Sequence, residues 1–393
     1  MADRHVLVVP NGDGFGPSAL CSHVVRDLLS RHSSLRVTIR TGKALYNARL
    51  FGDTGRVTIE AATGGIRLEK VKGRTSIPKT LAALDQYCAW SKAFPIGDDV
   101  DVVFEFGVPA AARRASERGI PRVSLFDHCW SRTLVTILEE QQKSYESLSH
   151  WHQWSQAEQQ EWLQLAARIQ EDEAATNNLF TLPPFLTPEA YTKYWREEIG
   201  VEPRQLDGVL GGSPSRSRAQ ACAALGLTDP VPAILVQGGD TPAWDGVLPR
   251  LIDELRQREG RADPYVVIYA PERLGLAPLQ GPRLKMLGPP SGGTIQEILP
   301  AIDFMVTRAG GGSVNDAVAC RVPFVCVEEP GHAQVMAILD ACEARGLTRR
   351  IGWSSFSAAA ILDAWRSAHG TDVLRAVPNG AERTVAAAIL SCL

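Results

Sequence analysis

Short apolar runs that break off at glycine clusters, each followed by an amphipathic stretch, constrain this chain more than any other feature. Residues 5–10 read His-Val-Leu-Val-Val-Pro and stop at Asn11-Gly12-Asp13-Gly14-Phe15-Gly16-Pro17. Beyond that loop Ala19, Leu20, Val24, Val25, Leu28 and Leu29 fall on one face of a helix. A continuous apolar run of this length fits a strand buried on both faces. The rhythm recurs at residues 35–40, 101–106 and 121–126, with an Ala/Arg-rich helix expected over 109–118 and closed by Gly119. Strands alternating with helices imply parallel sheets built from βαβ units.

Residues 130–177 interrupt the pattern: they are rich in Gln and Glu and nearly free of Gly and Pro. Ser155-Gln-Ala-Glu158 is a capping box, so a helix is expected over about 156–174. Within this stretch Trp151 and Trp154 stand at helical spacing and fit core packing of a helical insertion. A strand resumes at 178–181, and Pro183-Pro184 ends it. The second half repeats the alternation, with strands expected at 233–237, 265–270, 284–287, 304–308 and 322–327. Gly211-Gly-Ser-Pro-Ser-Arg216 is loop chemistry and marks a boundary. The expected fold is α/β: two doubly wound Rossmann-like domains, residues 1–205 with the helical insertion and residues 206–393, facing a cleft, the last helix packing back on the first domain. Ligands of such sheets bind beyond the carboxyl ends of the strands.

The 393 residues are enough for two ordinary cores. A formal net charge of −3 argues against a nucleic-acid partner, which requires a cationic surplus. No apolar run reaches the roughly 20 residues of a membrane span, and no signal peptide is recognised at the start. The 8 cysteines are scattered without a Cys-x-x-Cys pair, as expected of reduced thiols in a cytoplasmic protein. No clear Asp-x-Asp motif stands by the glycine turns to hold a metal between phosphates, so neither a metal nor a cofactor is expected.

Three strand-to-helix turns carry glycine. Such turns can present backbone N–H groups and a positive helix end to an anion. The turn at 308–316 is the most informative. Arg308 ends an apolar strand, Gly310, Gly311, Gly312 and Ser313 form the turn, and Asp316 lies about one helical turn further on. An arginine for phosphate and a carboxylate for ribose hydroxyls together suit a nucleotide.

The segment from Ile302 to Phe324, containing Arg308-Ala-Gly-Gly-Gly-Ser313 and Asp316, resembles the donor-site segment of GT-B glycosyltransferases. The patterns it is most similar to are UDP-glycosyltransferase-like enzymes and the N-acetylglucosaminyltransferase of peptidoglycan synthesis. Arg321-Val322-Pro323 stands where those families carry Gly-x-Pro, and Ala333-Gln334 where many carry Asp-Gln. Gln237-Gly238-Gly239-Asp240-Thr241 resembles the glycine loop that opens the family's second domain, and residues 11–17 its first-domain loop. The resemblance implies a nucleotide-diphosphate sugar such as a UDP-sugar as donor, held by Gly238, Gly239, Thr241, Arg308, Gly310–Ser313, Asp316, Glu329 and Gln334. It also implies an unidentified small-molecule or glycan acceptor on the side of Gly14, Phe15 and Trp130. Many inverting members place a histidine in the first loop as general base. This chain has none there, which leaves Asp13 or His128 for that role. Retaining members usually show Glu-x7-Glu with an acidic Gly-rich motif at the donor site, which is missing from the donor-site segment here, so inversion is expected. Three other readings stay open: a silent nucleotide-sugar binder, an epimerase of the same fold, and an NADP-dependent oxidoreductase using Gly12-x-Gly14-x-Gly16 and Arg40.

Overall fold

The computed structural model describes the chain except residues 1–3, 13–14, 53, 63, 72–73, 143–153, 177, 212–213, 229, 239–243, 259–263, 270–282, 288–294, 330–331 and 369–371. It divides into two compact units, Met1–Gly208 with Ala381–Leu393, and Val209–Gly380.

The first unit contains β1 (Arg4–Pro10), β2 (Leu35–Thr41), β3 (Val57–Ala61), a small antiparallel ribbon of β4 (Lys70–Val71) and β5 (Arg74–Thr75), β6 (Val102–Phe106), β7 (Arg122–Phe126), β8 (Leu179–Thr181) and β9 (Arg204–Gln205). Apart from the ribbon these form one seven-stranded parallel sheet in the order β3-β2-β1-β6-β7-β8-β9. Because side chains alternate along a strand, Leu7 and Val9 enter one core, with Leu81, Leu84, Trp162 and Ile169, while Val6 and Val8 are buried on the other face. The terminal helix Glu382–Leu390 packs on the helix Gly16–Arg31 and on β7.

The capping box at Ser155 forms with both halves in place and starts the helix Gln156–Ala174. Trp154 meets Trp162 edge to face at 5.0 Å, so it packs in the core, whereas Trp151 lies outside the described residues. The Ala/Arg-rich helix is shorter than residues 109–118, running only over Ala112–Glu117. A carboxylate from the sheet sets its start: Glu105 Oε1 accepts the Ala111 N–H at 2.5 Å. β3, β9 and the helix Ile77–Lys92 have no counterpart in the sequence expectation.

The second unit contains β10 (Ala233–Gln237), β11 (Tyr265–Tyr269), β12 (Leu284–Leu287), β13 (Phe304–Arg308), β14 (Phe324–Val327) and β15 (Arg350–Ile351). All pair in parallel, in the order β12-β11-β10-β13-β14-β15. The sheet grows one way from β10 to β12 and the other way from β13 to β15. Its switch point therefore lies between the carboxyl ends of β10 and β13, where doubly wound sheets bind ligands. At the start of β13 Arg218 grips Asp303 with two bonds of 3.1 and 3.0 Å, and Asp303 also accepts the Ala233 N–H. Arg321, which stands in place of the glycine of Gly-x-Pro, has φ 61°, a left-handed conformation that costs a side-chain-bearing residue about 1–2 kcal/mol. Its guanidinium bonds to the carbonyls of Val318 and Leu374.

A buried polar layer runs through the first unit. Glu105 is fully buried beside Arg122 and Ser124, while Asp172 binds Ser91 and Arg113. Burial pushes the Glu105 carboxyl up from 4.5 to about 7, although Arg122 and the Ala111 N–H pull it down. A carboxyl whose pKa is raised by folding stabilises the fold below its unfolded value, and that contribution is lost as pH rises through the folded value. The Glu105→Gln protein should therefore gain on the wild type between about pH 4.5 and 8, by roughly 3 kcal/mol. Urea unfolding of both proteins at those two pH values measures this, and a constant difference would refute it.

Candidate functional site

At the switch point of the second unit the glycine run is part of a helix. Gly310 is the N-cap, with φ −77° and ψ 137°, and Gly311, Gly312 and Ser313 form the first turn of the helix Gly311–Ala319. Their N–H groups are among those that no helical carbonyl can satisfy. Ser313 Oγ accepts from Gln237 Nε2 at 3.1 Å, tying the helix start to the end of β10 across the switch point.

Gly238 and Gly310 are small for different reasons. A Cβ on Gly238 would sit 2.3 Å from the Trp244 ring, so this glycine is required by the core of its own unit. A Cβ on Gly310 would meet only the Arg308 side chain, at 3.6 Å, an ordinary contact. Among the described residues nothing in the packing around Gly310 demands a glycine, which leaves its smallness to a ligand approaching the backbone. Gly239 and Thr241 lie outside the described residues.

Arg308 sits at the end of β13 with its side chain 17% exposed. Its Nε lies 3.3 Å from Glu329 Oε2, an ion pair without hydrogen-bond alignment, and its Nη2 lies 3.2 Å from His332 Nε2. The Glu329 carboxylate is itself buried. His332 caps the helix Ala333–Ala344, its Nδ1 accepting the Val335 N–H at 3.4 Å. Gln334 accordingly belongs to the first turn of that helix. The sequence reading passed over His332, because nothing in Pro330-Gly331-His332 marks a histidine as the cap that faces an arginine of another strand.

Asp316 lies inside the fold, 5% exposed, its Oδ1 accepting from Gln296 Nε2 at 2.8 Å. Burial pushes its carboxyl up to about 7, against hydrogen bonds from Gln296 and Asn315. Asn315 closes a pair of bonds with the backbone of Leu210, at 2.9 and 2.8 Å. Gln296 is a second partner that the sequence reading did not single out.

In the first unit the loops after β1, β2 and β3 meet closely. A Cβ on Gly12 would lie 2.7 Å from the Gly64 carbonyl, and Gly42 lies alongside. Asn11 is buried there, and its N–H donates to the Phe106 carbonyl at 2.8 Å. Phe15 N-caps the helix Gly16–Arg31, 4.8 Å from the Tyr46 ring, with Lys43 Nζ 4.9 Å from its own ring centre. Asp13 and Gly14 lie outside the described residues.

Beyond β7, His128 Nδ1 lies 2.8 Å from Asp127 Oδ1. Adjacent residues seldom face each other, and the sequence reading gave this pair no weight, yet here the two form an imidazole–carboxylate pair. His128 is 4% exposed and packs against Trp130, ring centres 4.3 Å apart. Trp130 is a core residue: its Nε1 donates to the Gly107 carbonyl and its backbone N–H to Glu173. Glu173 also accepts from Ser131 and Cys129, so this one buried carboxylate anchors the loop that carries His128. At the end of β2, Arg40 is engaged by Glu60 from the neighbouring strand at 2.5 Å and is committed within the sheet. Among the described residues no group of three or more His, Cys, Asp or Glu could hold a metal ion, and no helix is long and apolar enough to cross a membrane.

No protein-family model matches the chain, and no curated protein matches it in sequence. Solved structures do match over the whole chain. The glycotransferase of kitacinnamycin superimposes with a TM-score of 0.64 at 16% identity, covering 100% of this chain and 98% of that one. A UDP-glucosyltransferase from Polygonum tinctorium capable of glucosylating indoxyl gives 0.59 at 14% identity, covering 100% and 98%. The calicheamicin glycosyltransferase gives 0.58 at 18%, covering 100% and 95%. The two doubly wound parallel sheets and these likenesses define the class: the chain has the GT-B glycosyltransferase fold.

The contrast between the two glycines is open to experiment. Gly238→Ala should destabilise the second unit by about 1–3 kcal/mol, because the Trp244 ring must move. Gly310→Ala should melt near the wild-type temperature and lose affinity for a nucleoside diphosphate. Thermal unfolding together with calorimetry separates the two, and equal melting temperatures would contradict the packing account.

Proposed function

We propose that the chain is an inverting, metal-independent glycosyltransferase that moves a sugar from a nucleotide-diphosphate donor to an acceptor hydroxyl or other nucleophile in the cytoplasm. The observation that carries this reading is Arg308 beside the glycine-started helix Gly311–Ala319 at the switch point of a GT-B second unit. In this reading Gly310–Ser313 and Arg308 receive the diphosphate together with Gly238, Gly239 and Thr241. Asp316 serves the ribose, exchanging its bond to Gln296 for one to a hydroxyl. Glu329 and Gln334 face the sugar. The acceptor belongs to the first unit, near Gly14, Phe15 and Trp130.

The chemistry is a single displacement. The acceptor oxygen forms a bond to the anomeric carbon as the bond to the diphosphate breaks, which inverts that centre. The helix start and Arg308 stabilise the charge that develops on the leaving diphosphate. Since these supply positive potential, the reading includes no divalent cation. The acceptor proton passes to Asp13 or to His128, and the Asp127 carboxylate orients the imidazole of the latter.

Two experiments test this. Arg308→Ala should weaken binding of UDP by about 1.5–3 kcal/mol, the worth of a charge-assisted bond. Unchanged affinity in calorimetry would remove Arg308 from the donor site. Asp13→Asn should bind UDP as the wild type does and transfer sugar about 10²–10⁴-fold more slowly, with a milder loss in His128→Ala. If both single variants and the double variant transfer at wild-type rates with the chemical step limiting, the base lies elsewhere.

A further inference from the structure

The donor-site arginine has a buried anion beside it before any ligand arrives. Arg308 ends β13, and Glu329, two residues past β14, places a carboxylate oxygen 3.3 Å from its Nε. The carboxylate side chain is 5% exposed, so little water screens it. Arg308 Nε is buried and makes no hydrogen bond, while Nη2 points to His332. Among the described residues the guanidinium thus has a carboxylate at Nε and an imidazole at Nη2, beside the start of the helix Gly311–Ala319.

This arrangement treats the two ends of the reaction differently. Near neutral pH a nucleoside diphosphate carries about one more negative charge than its sugar ester, because its free terminal phosphate has a second ionisation near about pH 6. A fixed buried carboxylate next to the phosphate-binding arginine repels the product more than the donor. In the intact donor the sugar covers that terminal phosphate and presents hydroxyls that a carboxylate accepts. We infer that Glu329 is a specificity-determining residue: it discriminates against the free nucleoside diphosphate in favour of its sugar ester and so speeds product release. The inference rests on the donor-site reading of Arg308 and adds to it the sign of Glu329's contribution to each ligand.

Calorimetry with UDP and UDP-glucose on the full chain tests it without requiring turnover. The quantity read is the affinity for UDP relative to UDP-glucose. Glu329→Gln should raise this ratio about tenfold, the scale of one unit-charge repulsion across a partly screened site. Glu329→Asp keeps the charge and should stay near the wild-type ratio. Glu343→Gln, which removes a carboxylate at the far end of the helix Ala333–Ala344, should also leave the ratio unchanged. An unchanged ratio in Glu329→Gln, or an equal rise in Glu343→Gln, overturns the inference and leaves the donor site standing. If the wild type binds neither ligand, the donor-site reading fails and the inference falls with it. Melting temperatures of the three variants establish that each compares a folded protein.

Discussion

A parallel strand can be joined to its neighbour only by a crossover, so every strand of a parallel sheet ends on the same edge. Both sheets of this protein obey that constraint, and each reverses its direction of growth once, at β1/β6 and at β10/β13. Where the crossovers part, the loops leave in opposite directions and the sheet edge opens. In the second unit Gln237, Arg308 and the helix starting at Gly311 meet at that opening. In the first, Asn11 bonds to the Phe106 carbonyl across it.

The two units handle buried charge in opposite ways. In the first, Glu105, Asp172 and Glu173 are satisfied by N–H, hydroxyl, thiol and guanidinium donors from several elements, and they fix where helices and loops begin. Glu105 starts the helix Ala112–Glu117 and Glu173 holds the loop of His128. These are structural carboxylates, and burial raises the pKa of each. In the second unit, Glu329 is set against Arg308 without the alignment of a hydrogen bond, and His332 completes the group.

Much of this was legible in the residues. The apolar runs at 5–10, 233–237 and 304–308 have the composition of strands covered on both faces, and each is one. The Ser155 capping box located the start of its helix because that motif depends only on residues three apart. Where the reading strayed, a distant group was in control. The helix expected from Pro109 begins at Ala112 because Glu105, on the preceding strand, takes the Ala111 N–H. Gln334 lies in the first turn of a helix that His332 caps, a start that the sequence reading did not mark. β3 and β9 carry polar residues in short runs, so no apolar pattern announced them.

The sequence by itself determined where most of the longer strands run, where glycine lets a backbone turn or be approached, and that Arg308 ends a strand with Asp316 in the helix that follows. Those are properties of local spacing, and spacing is all that a linear pattern contains. Tertiary structure alone decided what each of those groups faces. Arg308 meets Glu329 and His332 because β13 and β14 are adjacent in the sheet. Asp316 turns to Gln296, and Gly238 is held small by Trp244. Asp127 and His128 form a pair within packing that sets Trp130 against the ring and Glu173 under the loop. Charge, burial and reach are properties of neighbours in space, and the fold chooses those neighbours.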